Sequence, residues 1–259
     1  MKIEDITRVL EEFAPLAYQE SYDNSGLIVG RGDTEVSSAV VCVDATEAVI
    51  DEAVRLGAGL VISHHPIIFG GLKRLNSSCY VERVVEKAIR EGVALYACHT
   101  NLDSTDGGMS HRVAEMLGLE NLHMLESLPK GNGFGVVGTL AEEIEVVEFI
   151  RKVRNVLNVG AVRYSQPASR TVRRVAVCTG SGGSLLGEAV AAGADVYVSA
   201  DFKYNHFLDA TGLVTIVDAG HFETEYCAIN LICEVISKKI PTFALHKSKE
   251  SHNPINYLA

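Results

Sequence analysis

The sequence predicts an α/β fold built as two related α/β lobes, and three observations lead there. Apolar runs rich in valine and isoleucine alternate with amphipathic helical stretches, the pattern of βαβ units around a largely parallel sheet. Residues 36–65 (VSSAVVCVDATEAVIDEAVRLGAGLVISHH) align without a gap onto 172–201 (VRRVAVCTGSGGSLLGEAVAAGADVYVSAD). Cys42 and Cys178, Gly57 and Gly193, and Ser63 and Ser199 therefore each differ by 136, the mark of an internal duplication. Downstream of each copy another apolar run (VALYAC, then LVTIVDAG) delivers a histidine with a carboxylate four residues on, His99/Asp103 in the first half and His221/Glu225 in the second.

Taken in order, the N-terminal MKIEDITRVLEEFAPLAYQE spaces Ile3, Ile6, Val9, Leu10 and Phe13 at helical intervals among acidic residues, unlike the basic start and apolar core of a signal peptide. In the first half, strands are expected near 39–44, 59–63 and 93–98, separated by helices near 46–57 and 80–91. In the second, strands are expected near 134–140, 161–165, 174–179, 195–199 and 213–218, with helices near 142–157, 184–192, 203–211 and 223–238. The segment 120–133 (ENLHMLESLPKGNG) combines polar residues, Pro129 and two glycines, and is the expected linker. It separates a first lobe over 1–125 from a second over 126–259, whose C-terminal segment is free to pack back on the first.

Composition narrows the function. A chain of 259 residues is long enough to bury a sizeable core, and at 47% hydrophobic and 22% charged it reads as an ordinary globular protein. Its net charge of -10, with no run of lysines or arginines, argues against nucleic acid or anionic membrane as partner. No apolar stretch reaches membrane-spanning length, so a cytoplasmic location is expected. Six cysteines without CxxC spacing support neither a disulfide framework nor a zinc ribbon.

The chemistry is concentrated at strand ends, where open α/β sheets bind their ligands. His64, His65, His99, Asp103, Asp201, His221 and Glu225 all follow expected strands. The HH pair alone reads as a turn before Pro66, and an HxxxD or HxxxE spacing alone as two side chains on one helix face. Together, with a duplication relating the halves, they read as metal ligands. Mixed imidazole and carboxylate donors suit zinc, iron, manganese, cobalt or nickel, and two facing sets suit two ions roughly 3.5–4 Å apart with a bridging water. The expectation is a dinuclear centre in a cleft between the lobes.

Other positions are weaker candidates. Gly180, Gly182 and Gly183 lie between strand and helix, where they serve either a tight turn or a phosphate, without the third glycine of a dinucleotide fingerprint. Lys73, Lys203 and Tyr204 are candidate substrate contacts. Asn24 either orients a ligand or caps a turn, and Asp44 ends a strand close enough to support a ligand. His123, His246 and His252 lack ligand-type neighbours.

SYDNSGLIVG (21–30), VCVDAT (41–46), SHHPIIFGGLK (63–73), HTNLDSTDGG (99–108), ADFKYNHFLDA (200–210) and GHFETE (220–225) resemble, in order, the motifs of the NIF-three-like family, whose members are commonly called GTP cyclohydrolase 1 type 2 homologs. The resemblance implies a dinuclear metal centre between two related lobes and assembly into a toroidal homohexamer. It implies His64, His65, Asp103, His221 and Glu225 as ligands of two divalent ions, with His99 beside them as an acid/base group. The direct passage from LESLPKGNG into GFGVVGTL resembles the family's short form, without the inserted middle domain. Two departures stand out. Where the family usually reads GDxKYH this chain has Ala200 and Asn205, with His206 as a neighbour, and His111 stands where relatives often carry asparagine.

The expected function is a metal-dependent hydrolase of a nucleotide-like substrate, with GTP cyclohydrolase chemistry as its most specific form. The alternative, from a different class, is a protein that binds or delivers metal, or an assembly protein, with the same ligands and no substrate pocket.

Overall fold

The computed structural model describes residues 1–258, which form two compact α/β units. One comprises Met1–Leu102 and Ala228–His252, and the other Asp103–Cys227 together with residues 253–258. In chain order the first contains α1 (Ile3–Phe13), β1 (Gly26–Val29), β2 (Ser38–Cys42), α2 (Glu47–Leu56), β3 (Leu60–Ser63), α3 (Tyr80–Glu91) and β4 (Ala94–Ala97), after which comes the short α4 (Thr100–Ser104). The second continues with α5 (Met109–Met116), β5 (Leu119–Ser127), β6 (Gly133–Glu145), α6 (Val146–Val156), β7 (Arg163–Tyr164), β8 (Thr171–Ser181), α7 (Leu186–Ala191), β9 (Val196–Ala200), α8 (Tyr204–Asp209), β10 (Thr215–Asp218) and α9 (His221–Glu225). Finally α10 (Cys227–Lys239) and β11 (Ala244–Lys247) follow.

The first sheet has the order β1-β4-β3-β2-β11 and is parallel except for β1, which runs antiparallel to β4. Every residue of β2, β3 and β4 is buried, which is why these strands read as unbroken Val/Ile/Leu runs rather than alternating ones. Helix α2 starts where the Thr46 hydroxyl accepts the Val49 amide, and it ends where Gly57 adopts a left-handed φ of 67° and returns its N–H to Ala53 and Val54. Its buried Glu52 carboxylate accepts from the Ser248 hydroxyl at 2.5 Å and the Lys249 amide at 3.0 Å. These bonds, with β11 on the edge of β2, hold the C-terminal stretch in the first unit.

The second sheet has the order β5-β6-β8-β9-β10-β7. Its register carries the duplication into three dimensions. Ala39 pairs with Leu60 and Val41 with Ile62 in the first sheet, and the residues 136 positions on, Val175 with Val196 and Val177 with Val198, pair in the second. Each repeat is therefore one strand–helix–parallel strand unit.

The structure departs from the sequence reading at sheet edges. The second sheet is parallel only across β8, β9 and β10, with β5-β6-β8 antiparallel and β7 antiparallel to β10. The expected linker is strand β5 and its turn, in which Leu128 donates to the Asn132 carbonyl at 2.7 Å. An edge strand exposed along much of its length takes polar residues, and so mimics a loop in sequence. Among the described residues no helix is long and apolar enough to cross a membrane, and all six cysteines are free thiols, five of them buried.

Candidate metal centre

Parallel strands end at a common edge, and β2, β3 and β4 are neighbours, so Asp44, His64, His65 and His99 emerge together just past their carboxyl ends. His64 is fully buried with Nδ1 2.9 Å from the Cys98 carbonyl, at the end of the adjacent strand. His65 Nδ1 lies 2.8 Å from Asp44 Oδ1, and His99 Nδ1 lies 2.8 Å from Asp23 Oδ1. An oxygen that can only accept places the proton on Nδ1 and leaves the lone pair on Nε2, the orientation that carboxylate and carbonyl partners give to metal-bound imidazoles. The three rings sit with centroids 5.0, 5.3 and 5.4 Å apart, and one donor atom from each histidine lies within 4.8 Å of the others, a spacing that can hold an ion.

Asp23 is held ionised. Burial pushes its pKa up, but the hydrogen bonds from His99 and Thr100 and the field of His99 outweigh it, leaving the carboxyl well below the usual range. The Thr100 hydroxyl and the Thr100 amide, at 3.1 Å, both donate to Oδ2. The Asn101 carboxamide fixes the loop by accepting the His99 amide at 2.9 Å and donating to the Ala14 carbonyl at 2.7 Å.

The second unit repeats the device. Parallel strands β8, β9 and β10 lead to Gly180, Asp201 and His221. His221 Nδ1 lies 2.7 Å from Asp201 Oδ2, and its Nε2 lies 3.0 Å from Glu225 Oε2 one helical turn on in α9. Glu225 is buried. Asp103, on α4, and Glu225 both act on the buried thiols of Cys178 and Cys227, which burial chiefly pushes up to about 12. Those thiols stay protonated near neutral pH.

The duplication explains one exchange of roles. Asp201 occupies the position of His65 in the other repeat, so a strand end that presents an imidazole in one unit presents a carboxylate paired with an imidazole in the other. Asp201 adopts a φ of 56°, a left-handed conformation that aspartate tolerates better than most residues.

Gly180, Gly182 and Gly183 are explained by packing. A Cβ at Gly180, whose φ is 62°, would run into Glu225 Oε1 and lie 3.4 Å from His221 Nε2. One at Gly182 would strike Ser199, Tyr197 and Cys178, and one at Gly183 the His206 ring. Ser199 and Tyr197 donate to the carbonyls of Gly180 and Gly182 at 3.1 and 2.6 Å, and Gly180 N–H donates to Thr224 Oγ1 at 3.0 Å. This is a turn wrapped around side chains. His206 accepts the Lys203 amide at 3.1 Å on Nδ1 and caps α8, while Asn205 is exposed. Asn24 anchors a loop through the Ile68 carbonyl at 2.7 Å. Asp23 and Asp201 were not singled out from sequence as histidine partners. The usable signals were the carboxylate in SYDNSGLIVG and the equivalence of Asp201 with His65.

A family model described as Duf34/NIF3 (NGG1p interacting factor 3) matches residues 1–254. The chain belongs to the NIF3 family. A Clostridium perfringens relative called GTP cyclohydrolase 1 type 2 homolog is 30% identical over 262 residues, covering 100% of both chains. A solved Bacillus cereus protein related to NIF3 superposes with a TM-score of 0.93 at 24% identity, covering 100% of this chain and 99% of that one. A Staphylococcus aureus hypothetical protein gives 0.92 at 27% identity with the same coverage. As a NIF3 family member the chain has, within its first unit, three histidines, His64, His65 and His99, grouped so that they can hold metal.

Proposed function

We propose that the protein is a metal-dependent hydrolase of a nucleotide-like substrate, with His64, His65, Asp103, His221 and Glu225 holding two divalent ions and His99 serving as acid/base. The observation that carries this is the set of four imidazoles, His64, His65, His99 and His221, each with Nδ1 against an oxygen 2.7–2.9 Å away. In His64, His65 and His99 this leaves the lone pair on Nε2, while Nε2 of His221 faces the Glu225 carboxylate, an arrangement that random surface histidines do not share. Imidazole and carboxylate donors in this proportion suit zinc, iron, manganese, cobalt or nickel. Two such ions, when bound, supply Lewis acidity and ionise a water near neutral pH.

The chain's own part follows from His99. Asp23, held ionised, accepts from Nδ1 and so orients His99 to take a proton at Nε2 and return it to a leaving group. In the cyclohydrolase form of the reaction that proton accompanies imidazole ring opening and formate release; in a phosphatase form it goes to the departing oxygen. The likeness to proteins called GTP cyclohydrolase 1 type 2 homologs favours the former. We further propose a homohexamer in the cytoplasm, which light scattering tests directly.

Metal-replete protein is expected to contain two ions per chain by elemental analysis, falling in His64→Ala and Glu225→Ala. His99→Gln is expected to keep both ions and slow turnover by about 10²–10⁴-fold. The assay offers nucleoside triphosphates, monophosphates and cyclic nucleotides with each metal in turn, scoring formate and phosphate. Activity no higher than that of Asp103→Ala rejects the hydrolase in favour of a metal-binding protein.

A further inference from the structure

Behind Asp44 and His65 the first unit contains a cavity of about 350 Å³, a size at the lower end of small-molecule sites. The β3–α3 loop forms much of it, and Ile67, Phe69, Leu72, Tyr80 and Val81 supply aliphatic and aromatic surface. Three bonds hold its walls: Asn24 to the Ile68 carbonyl at 2.7 Å, the Tyr80 hydroxyl to the Ala45 carbonyl at 2.6 Å, and Ser78 N–H to Glu82 at 2.8 Å. A loop this long without secondary structure, tied down at several points, is a feature of binding sites rather than of simple connections. Phe69 meets His99 edge-on with centroids 5.4 Å apart, so one ring touches both the cavity and the histidine cluster.

The lining decides what fits. Asp44 is its only charged side chain, and no lysine or arginine is present to receive a phosphate. A phosphate beside that carboxylate would be repelled. A planar neutral ring can stack on Phe69 or Tyr80 and give an N–H to the Asp44 carboxylate, one oxygen of which takes His65. We propose that this cavity binds a neutral heteroaromatic ring bearing an N–H donor, the nucleobase class, and leaves the charged part of the ligand outside. The hydrolase reading enters only in placing the reacting bond at the histidines; ring binding does not require turnover.

The test uses the full-length, zinc-loaded protein with labelled methyl groups, titrated with guanosine, adenosine and cytidine, and with ribose 5-phosphate as the phosphate-bearing probe lacking a base. At least one nucleoside is expected to shift the methyl signals of Ile67, Ile68, Leu72 and Val81 saturably, while ribose 5-phosphate leaves them unmoved. Leu72→Trp, which fills the cavity from a partly exposed position, should weaken binding by at least about tenfold with zinc content unchanged. Phe69→Ala, also exposed, should weaken it by removing a stacking wall. Equal shifts with ribose 5-phosphate, no shifts with any nucleoside, or undiminished binding in both variants would overturn the proposal. Nucleoside shifts without hydrolysis keep the ring site and reject the hydrolase, whereas hydrolysis without shifts here rejects the ring site alone.

Discussion

Replacing Gly180 with alanine separates backbone strain from damage to the proposed metal site. At a φ of 62° an alanine pays about 1–2 kcal/mol for the left-handed conformation, offset by roughly 0.4–1 kcal/mol from the stiffer unfolded chain. Gly193 is the internal control: its φ is 68°, it lies in the same unit, and a Cβ there meets nothing within 4 Å. Gly193→Ala should therefore lower stability by about 1 kcal/mol, or about 2–4 °C in Tm, without touching metal binding. In Gly180→Ala the new methyl falls on Glu225 Oε1, and the buried Glu225 has no open solvent to swing into. Displacing that carboxylate from its 3.0 Å approach to His221 should weaken zinc by about 10–100-fold, the range for groups that orient metal ligands. Competition against a chromophoric chelator gives the affinity, and thermal melts of the metal-free proteins give the strain. Wild-type zinc affinity in Gly180→Ala, or an equal loss in Gly193→Ala, would show that Glu225 is not what the glycine protects.

Asp44→Ala and Asp201→Ala should each weaken metal binding by about 10–100-fold in the same chelator assay, because His65 and His221 lose the acceptors that orient them. Glu52→Ala should cost roughly 1.5–3 kcal/mol in urea unfolding while leaving metal content unchanged, since the Ser248 hydroxyl and Lys249 amide lose a charged acceptor that belongs to none of the groups able to hold an ion. Burial first, then the charge of Asp44, pushes the Tyr80 phenol up to about 12. Its folded pKa exceeds the ordinary value of 10.0, so the group's contribution to stability is complete below pH 10 and falls as pH rises toward 12. The difference in phenolate absorbance between wild type and Tyr80→Phe, followed through that window, checks it.

The parts of the fold that could be read from sequence are those whose burial leaves a one-dimensional trace. Strands β2, β3 and β4 are covered on both faces and appear as unbroken apolar runs, and the repeat shows because both copies retained the same cap and core positions. Edge strands β1, β5 and β11 leave little such trace, since exposed faces accept polar residues. The clustered histidines were legible because imidazoles at the ends of parallel strands are chemically distinctive. Asp23 was not, and Asp201 stood out only as a further strand-end group rather than as the partner of His221, because a carboxylate's role depends on which ring it meets, and Asp23 meets His99 from 76 residues away. The glycine turn stayed ambiguous in sequence because a phosphate and a buried carboxylate both require the absence of a side chain.

Strand β11 also sets a timetable. It is the neighbour of β2, yet about 200 residues separate them, which a ribosome takes roughly 10–40 s to make. During that interval the outer edge of β2, buried along its whole length in the finished protein, has no strand to complete it. Residues 103–227 are contiguous and hold every strand of their own sheet, so they can finish folding while the first sheet still waits for its last member. A nascent chain stalled before Ala244 therefore offers an apolar strand edge to any neighbour, which makes the final residues a seal against aggregation as much as a structural element.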